Sequence, residues 1–281
     1  MSHEQQTLQK NPLGSTGLTV SCLGLGTVKI GRNEGVKYPA GFELPDDQQV
    51  RQILHLTREL GINLIDTAPA YGSSEERLGT LLTQRHEWVI CSKVGEEFAD
   101  GKSFFDFSGK HVRRSIERSL KRLRTDYLDI VLVHSDGNDE DIIRSTDCLD
   151  VLNRCKEEGL LRSFGLSTKT VAGGLLAVQQ SDVVMVTYNP TATADDELID
   201  LAHAQNKGVL IKKAFNSGHS MAESSAANDP VKANLEFIFA RAGVSSVIVG
   251  TINPVHLRQN VEAAIAATRR THTGCRDSSD R

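Results

Sequence analysis

Residues 62–65 form a short apolar run that ends abruptly in Asp66, and Tyr71 follows five positions later beside Gly72. Two further apolar runs end in the same way, 88–92 in Lys93 and 128–133 in His134. An acid, a tyrosine, a lysine and a histidine delivered in this manner suit one kind of chemistry. A phenol with a pKa of about 10 is too weak an acid for good proton transfer at neutral pH. A neighbouring ammonium favours the tyrosinate and lowers that value. Lys93 is expected to supply the ammonium, Asp66 to hold it charged, and His134 to donate a hydrogen bond that polarises a bound carbonyl. Such a set protonates a carbonyl oxygen while something else attacks the carbon. No serine–histidine or cysteine–histidine dyad and no metal cluster stands out in the sequence, so the expected attacker is hydride from a nicotinamide.

Each of the four residues has an ordinary explanation when taken alone: a helix-capping Asp, an amphipathic loop Tyr, a solvated Lys, a satisfied core His. Convergence at one place is what would make them a site. A rival chemistry also stays open. A lysine at a strand end can be the nucleophile of a Schiff-base aldolase, although a carboxylate beside Lys93 would keep its amine protonated.

The elements that would position these residues alternate along the chain. Strand-like runs fall at 20–26, 62–66, 88–93, 128–134, 163–167, 183–188, 208–213 and 245–250. Helical patterns lie near 47–60, 75–84, 110–123, 139–158, 170–180, 194–206, 230–242 and 254–268. Most strand runs are rich in Val, Ile and Leu without clean alternation, as in strands covered on both faces. Eight β-then-α units in 281 residues predict one α/β domain, a (β/α)8 TIM barrel spanning 20–268. In that fold the site lies at the carboxyl ends of the strands, where Asp66, Lys93 and His134 would sit.

Residues 8–21 contain the turn Gly14-Ser15-Thr16-Gly17 and predict an N-terminal β-hairpin that plugs the amino end of the barrel. Ser73, with Glu76 three positions on, predicts a capping box at the start of the second helix. Residues 29–47 carry Gly31, Gly35, Pro39, Gly41 and Pro45 and make the longest irregular piece. This piece is either a substrate loop over the mouth, lined by Tyr38 and Phe42, or a packed surface loop. The polar tail 271–281 is expected to be disordered.

Composition narrows the function classes. Net charge is -4, without the concentrated basic face of a nucleic-acid binder. The basic run Arg113, Arg114, Arg118, Lys121, Arg122 and Arg124 is interrupted by Glu117 and by apolar residues at helical spacing, the pattern of a solvated helix face. No run approaches the roughly 18 apolar residues of a membrane span, and the polar start lacks the apolar stretch of a secretory signal. Five cysteines sit without Cys-x-x-Cys or Cys/His ligand spacing, so neither a disulfide frame nor a zinc site is indicated. Buried free thiols are expected at Cys148 and Cys155, and the cysteine pattern fits a reducing cytoplasm.

Several strings together resemble the aldo-keto reductase superfamily. They are Gly-Ile-Asn-Leu-Ile-Asp-Thr-Ala-Pro-Ala-Tyr-Gly at 61–72 followed by Ser-Ser-Glu-Glu-Arg-Leu-Gly, then Ser92-Lys93-Val94-Gly95, the run from Ser119 through Asp129 to His134, and Phe164-Gly165-Leu166-Ser167. The closing Val249-Gly250-Thr251, Asn253-Pro254, His256-Leu257 and Asn260 match as well, and the likeness covers 8–268. The resemblance implies a barrel that binds NADP(H), less often NAD(H), without a Rossmann fold, and indeed no Gly-x-Gly-x-x-Gly lies between a strand and a helix. It implies small carbonyl or alcohol substrates and a tetrad of Asp66, Tyr71, Lys93 and His134, with Tyr71 as general acid in reduction and base in oxidation.

For the cofactor, the resemblance places Gly26, Thr27 and Asp66 beside the nicotinamide ribose and Ser167 at the carboxamide. Thr168 stands where Asn is common, and Met185 where Gln is usual. Lys212 takes the position of an aromatic ring that many members lay against the nicotinamide. Phe215 and Ser217 match positions that meet the pyrophosphate. Gly250 and His256 stand where many NADP-specific members have Lys and Arg, which removes a bidentate phosphate clamp, while Thr251 and Asn260 remain suited to phosphate and adenine. Some barrels of this family act as cofactor-sensing subunits, and these departures leave that role open. The substrate and the oligomeric state are not legible.

Overall fold

The computed structural model describes residues 7–36, 41–215 and 229–274, with side chains described to 269. A hairpin of β1 (Lys10–Pro12) and β2 (Thr19–Ser21) leads directly into β3 (Leu23–Gly26). There follow α1 (Val28–Gly31), α2 (Asp47–Glu59), β4 (Leu64–Asp66), α3 (Ser74–Leu81), β5 (Val89–Val94), β6 (Glu96–Ala99), β7 (Lys102–Phe105), α4 (Gly109–Leu123) and β8 (Leu128–His134). The chain continues through α5 (Asp139–Ser145), α6 (Cys148–Glu157), β9 (Leu161–Ser167), α7 (Val171–Gln180), β10 (Val183–Thr187), α8 (Asp196–Ala204), β11 (Gly208–Lys212), α9 (Pro230–Phe239), β12 (Ser246–Val249) and α10 (Pro254–Gly274). Eight parallel strands close in the order β10-β11-β12-β3-β4-β5-β8-β9. This is the expected (β/α)8 barrel.

Two separate apolar clusters explain why the strands read as unbroken apolar runs. Along β8, Val131 and Val133 pack outward in the layer beneath the helices, whereas Ile130 and Leu132 belong to the cluster inside the barrel. The side-chain period of two carries each strand's inner set upward to its carboxyl end. Leu64 is therefore followed by Asp66, Cys91 by Lys93, Leu132 by His134 and Leu210 by Lys212 on the inner face. Below them the hairpin closes the amino end, with Leu13, Leu18 and Val20 joining the inner cluster beside Val89, Met185 and Leu210. Leu13 is fully buried, and Leu13→Ala should cost about 2–5 kcal/mol of stability.

Several sequence expectations need correction. The run 20–26 is two strands, because Cys22 separates the plug from the barrel. Helix 139–158 breaks at residues 146–147, where Thr146 bonds back to Ile142 O and Asp147 turns aside to accept the Gly109 N–H at 2.6 Å. Ser73 makes no capping hydrogen bond. Its neighbour Ser74 is turned inward to Thr67 and Thr27, and Glu76 turns out to Arg122. The capping box present belongs instead to α2, between Asp46 and Gln49. The backbone of α10 runs to Gly274, into the tail expected to be disordered. The basic run on α4 is matched by acids: Arg113 pairs with Glu117 and Glu158, Arg118 with Glu97, and Arg122 with Glu75 and Glu76. Cys148 and Cys155 are buried and free as expected, as are Cys22 and Cys91, and Cys275 lies outside the described residues.

The hairpin of β6 and β7 after Lys93 has no counterpart in the expectations. Its signal was present: Asp100-Gly101 between Glu96–Ala99 and Lys102–Phe105 is a hairpin dipeptide. Both turn residues adopt positive φ, +50 and +74, as a type I′ turn demands.

Candidate active site

Asp66, Lys93 and His134 converge at the carboxyl mouth of the barrel, and Tyr71 reaches them from the loop after β4. The Lys93 ammonium lies 2.5 Å from Asp66 Oδ1 and donates to the Tyr71 hydroxyl at 3.1 Å and the Thr67 carbonyl at 3.0 Å. Tyr71 Oη is 3.4 Å from Asp66 Oδ2, and its ring stands edge-on to His134 with centroids 6.2 Å apart. The loop carrying Tyr71 is held by close backbone approach. Gly72 has φ +60, and a Cβ there would meet Gly31 O at 2.2 Å, while one at Gly31 would meet Tyr71 O at 2.3 Å. Side chains at either position would lift Tyr71 away from Lys93.

The electrostatics depart from the expectation in one respect. Burial pulls the Lys93 pKa down, but Asp66, Tyr71 and Cys91 together outweigh it, and the ammonium stands above the ordinary lysine value. Tyr71 was expected to be lowered. Instead burial and the Asp66 carboxylate raise it more than Lys93 depresses it. The phenol is thus firmly protonated at neutral pH and has an ammonium beside it to receive the negative charge once the proton leaves.

Glu96, at the start of β6, joins this cluster and has no counterpart in the sequence reading. Its Oε2 lies 2.7 Å from His134 Nδ1, off the direction of an aligned ring hydrogen bond. Burial raises the Glu96 pKa, but His134, Ser103 and Arg32 together bring it down to about 2. Burial lowers the His134 pKa, and Glu96 opposes that shift. An acceptor-only carboxylate beside Nδ1 draws the imidazole proton to that nitrogen. Nε2 then carries a hydrogen only when the ring is an imidazolium. The signal for Glu96 was an acid three residues beyond Lys93, at the start of the hairpin.

On the other side of the mouth, Lys212 Nζ donates to Ser167 Oγ at 2.8 Å and to the Thr168 carbonyl at 2.7 Å. Ser167 and Thr168 are buried, and Met185 packs in the apolar interior. Gly26 ends β3 opposite Asp66, where a Cβ would press on Ile248 at 3.1 Å. The Thr27 hydroxyl is engaged, donating to Asp66 O at 2.9 Å and accepting from Ser74. Phe215 is half-buried against the outer core. Gly250 and His256 are exposed, Thr251 is half-buried, and Asn260 is buried. Phe42 lies half-buried with the Lys29 ammonium 5.2 Å from its ring centre. Tyr38 and Ser217 lie outside the described residues. Among the described residues no group of His, Cys, Asp and Glu could hold a metal ion, and no helix is long and apolar enough to cross a membrane.

The Aldo/keto reductase family model matches residues 22–220. The chain belongs to this family. A solved structure of an aldo-keto reductase from Pseudomonas aeruginosa superposes with a TM-score of 0.84 at 54% identity, covering 95% of this chain and 99% of that one. L-galactose dehydrogenase of Arabidopsis thaliana is 29% identical over 91% of this chain and 88% of its own length. The NADH-specific methylglyoxal reductase of Escherichia coli is 29% identical over 73% of this chain and 66% of its own. Aldo-keto reductases are oxidoreductases that typically use nicotinamide cofactors. The polar residues of this mouth suit such a cofactor: Lys212 has three N–H donors, of which Ser167 and Thr168 take two.

Proposed function

We propose that the chain reduces aldehydes or ketones to alcohols with a nicotinamide cofactor, or runs the reverse reaction on a sugar or other alcohol. The observation that carries this reading is the Lys93 ammonium set between Asp66 and the Tyr71 hydroxyl at the barrel mouth. The cofactor would be held by Gly26, Thr27, Asp66, Ser167, Thr168, Lys212, Phe215, Ser217, Gly250, Thr251, His256 and Asn260, and it supplies hydride to the carbonyl carbon. Tyr71 gives its proton to the carbonyl oxygen as that oxygen gains charge, and Lys93 stabilises the tyrosinate left behind. Asp66 keeps the lysine charged. His134 orients the carbonyl, and as an imidazolium it donates to the oxygen from Nε2. Tyr38 and Phe42 are the proposed substrate contacts.

NADP(H) is the proposed cofactor, with NAD(H) as the alternative. Two observations favour the alternative: Gly250 and exposed His256 replace a cationic clamp, and one relative is named for NADH. The sugar direction is favoured by the likeness to L-galactose dehydrogenase. An aldolase role through Lys93 is disfavoured, because Asp66 holds the amine protonated, and borohydride should trap no substrate adduct on it. The deciding experiment is a binding titration with NADPH and NADH side by side, followed by turnover on a panel of aldehydes, ketones and sugars. Tight binding without turnover on any of them would favour a cofactor-sensing role and overturn the enzymatic reading.

A further inference from the structure

Lys212 is a cation in an unusual place. It ends β11 on the inner face of the barrel, and the backbone kinks at once, with Lys213 at φ +55. Its ammonium reaches across the end of β10 to Ser167 and Thr168 at the end of β9. Among the described residues no carboxylate forms an ion pair with it. The charged and titratable groups that act on it or on which it acts are Lys93 on β5, His134 on β8, Asp139 on α5, Lys169 after β9, Asp195 before α8 and its neighbour Lys213. Four of these can carry positive charge. Burial first, then Lys213 and Lys93, bring the Lys212 pKa down to about 7.

The geometry constrains where a hydride donor can be. A carbonyl oxygen held at Tyr71 Oη fixes its carbon within the mouth, so the donating ring must share that space with Lys212. A dihydronicotinamide is neutral. When its hydride, one proton and two electrons, passes to the carbonyl carbon, the ring becomes a pyridinium cation. Like charges enclosed together in a low-dielectric site repel far more than in water.

We infer that Lys212 makes the site discriminate against the oxidised cofactor, so that this barrel binds the reduced form more tightly and works as a reductase. The inference rests on the reading of the mouth as a nicotinamide site. It assigns to Lys212 a preference for cofactor redox state, distinct from any choice between NADPH and NADH.

Equilibrium dialysis or calorimetry with NADPH and NADP+, which needs no turnover, tests it. In the unaltered protein the reduced form should bind roughly tenfold tighter at about pH 6.5, where Lys212 is charged, and the gap should narrow toward about pH 8.5 as it deprotonates. Lys212→Met should close the gap at both pH values. Lys212→Arg keeps the charge across this range and should preserve the gap at both, which separates Lys212 from the titration of His134. An equal ratio in Lys212→Met and the unaltered protein overturns the inference, as does a ratio in the unaltered protein that does not change with pH. If neither NADPH nor NADP+ binds, with NADH and NAD+ run as a second pair, the nicotinamide reading itself falls and takes this inference with it.

Discussion

The two halves of the barrel mouth are built on opposite principles. On the side of β4, β5 and β8, each basic site residue has a carboxylate in contact: Lys93 has Asp66, and His134, when protonated, has Glu96. On the side of β9 and β11, the acceptors of Lys212 among the described residues are a hydroxyl and a carbonyl. The Lys93–Asp66 pair keeps a fixed ionisation state, and an ammonium whose described acceptors are neutral is free to titrate near neutral pH. The first half is suited to moving a proton in a set direction. The second is suited to sensing the charge of what is bound there.

The largest effect should come from removing the acid of the first half. Tyr71→Phe should lower kcat by about 10³-fold or more with cofactor affinity nearly unchanged, since the hydroxyl acts mainly in the transition state. Steady-state kinetics and a cofactor titration check both parts, and unchanged turnover would remove Tyr71 from the mechanism. Lys93→Met should also abolish activity, and it leaves Asp66 buried without a partner. That should cost about 3–5 kcal/mol in chemical denaturation, with much of it recovered in the double variant Asp66→Asn/Lys93→Met.

Glu96→Gln sharpens the contrast by unpairing a charge in the paired half. Glu96 raises the His134 pKa, so its loss lowers that pKa. The descending limb of kcat/KM for reduction, set by the imidazolium, should then move to lower pH. Glu96 itself has a folded pKa of about 2 against an ordinary 4.5. The stability it contributes is present above pH 4.5 and is lost as pH falls toward 2. Acid unfolding of Glu96→Gln should lack that component. The smallest effect concerns the far end of the cofactor: His256→Arg should raise the preference for NADPH over NADH a few-fold, about 1 kcal/mol. A ratio of specificity constants that stays put would place His256 away from the phosphate.

The same contrast governs what was legible in the sequence. Strand β8 was bounded correctly as 128–134, because an apolar run covered on both faces that ends in a polar residue leaves little room for another register. The placement of Asp66, Lys93 and His134 at strand ends was legible for that reason, and the local string around Tyr71 put a fourth polar residue beside them. Glu96 escaped because its role depends on a hairpin folding back over the mouth, a contact between different strands that no local pattern encodes. The Tyr71 shift was misjudged in sign because one neighbour, Lys93, was weighed without the burial that opposes it. Ser73 and Glu76 fit a capping motif by spacing, yet the pull of Ser74 toward Thr67 and Thr27 sets the start of α3. Lys212 was visible as a departure from the family pattern, but only the fold brings its ammonium to Ser167.

The alternation that fills the barrel also sets a hazard for it. Insertion or deletion of one residue within β5, compensated in its flanking loops, would keep the strand apolar and the barrel closed. It would also turn Lys93 outward beneath the helices and bring Ser92 or Val94 into the mouth. Such a chain would express, fold and resemble its relatives along nearly its whole length while having lost its ammonium. In this architecture foldedness and competence are separable by a single step of parity.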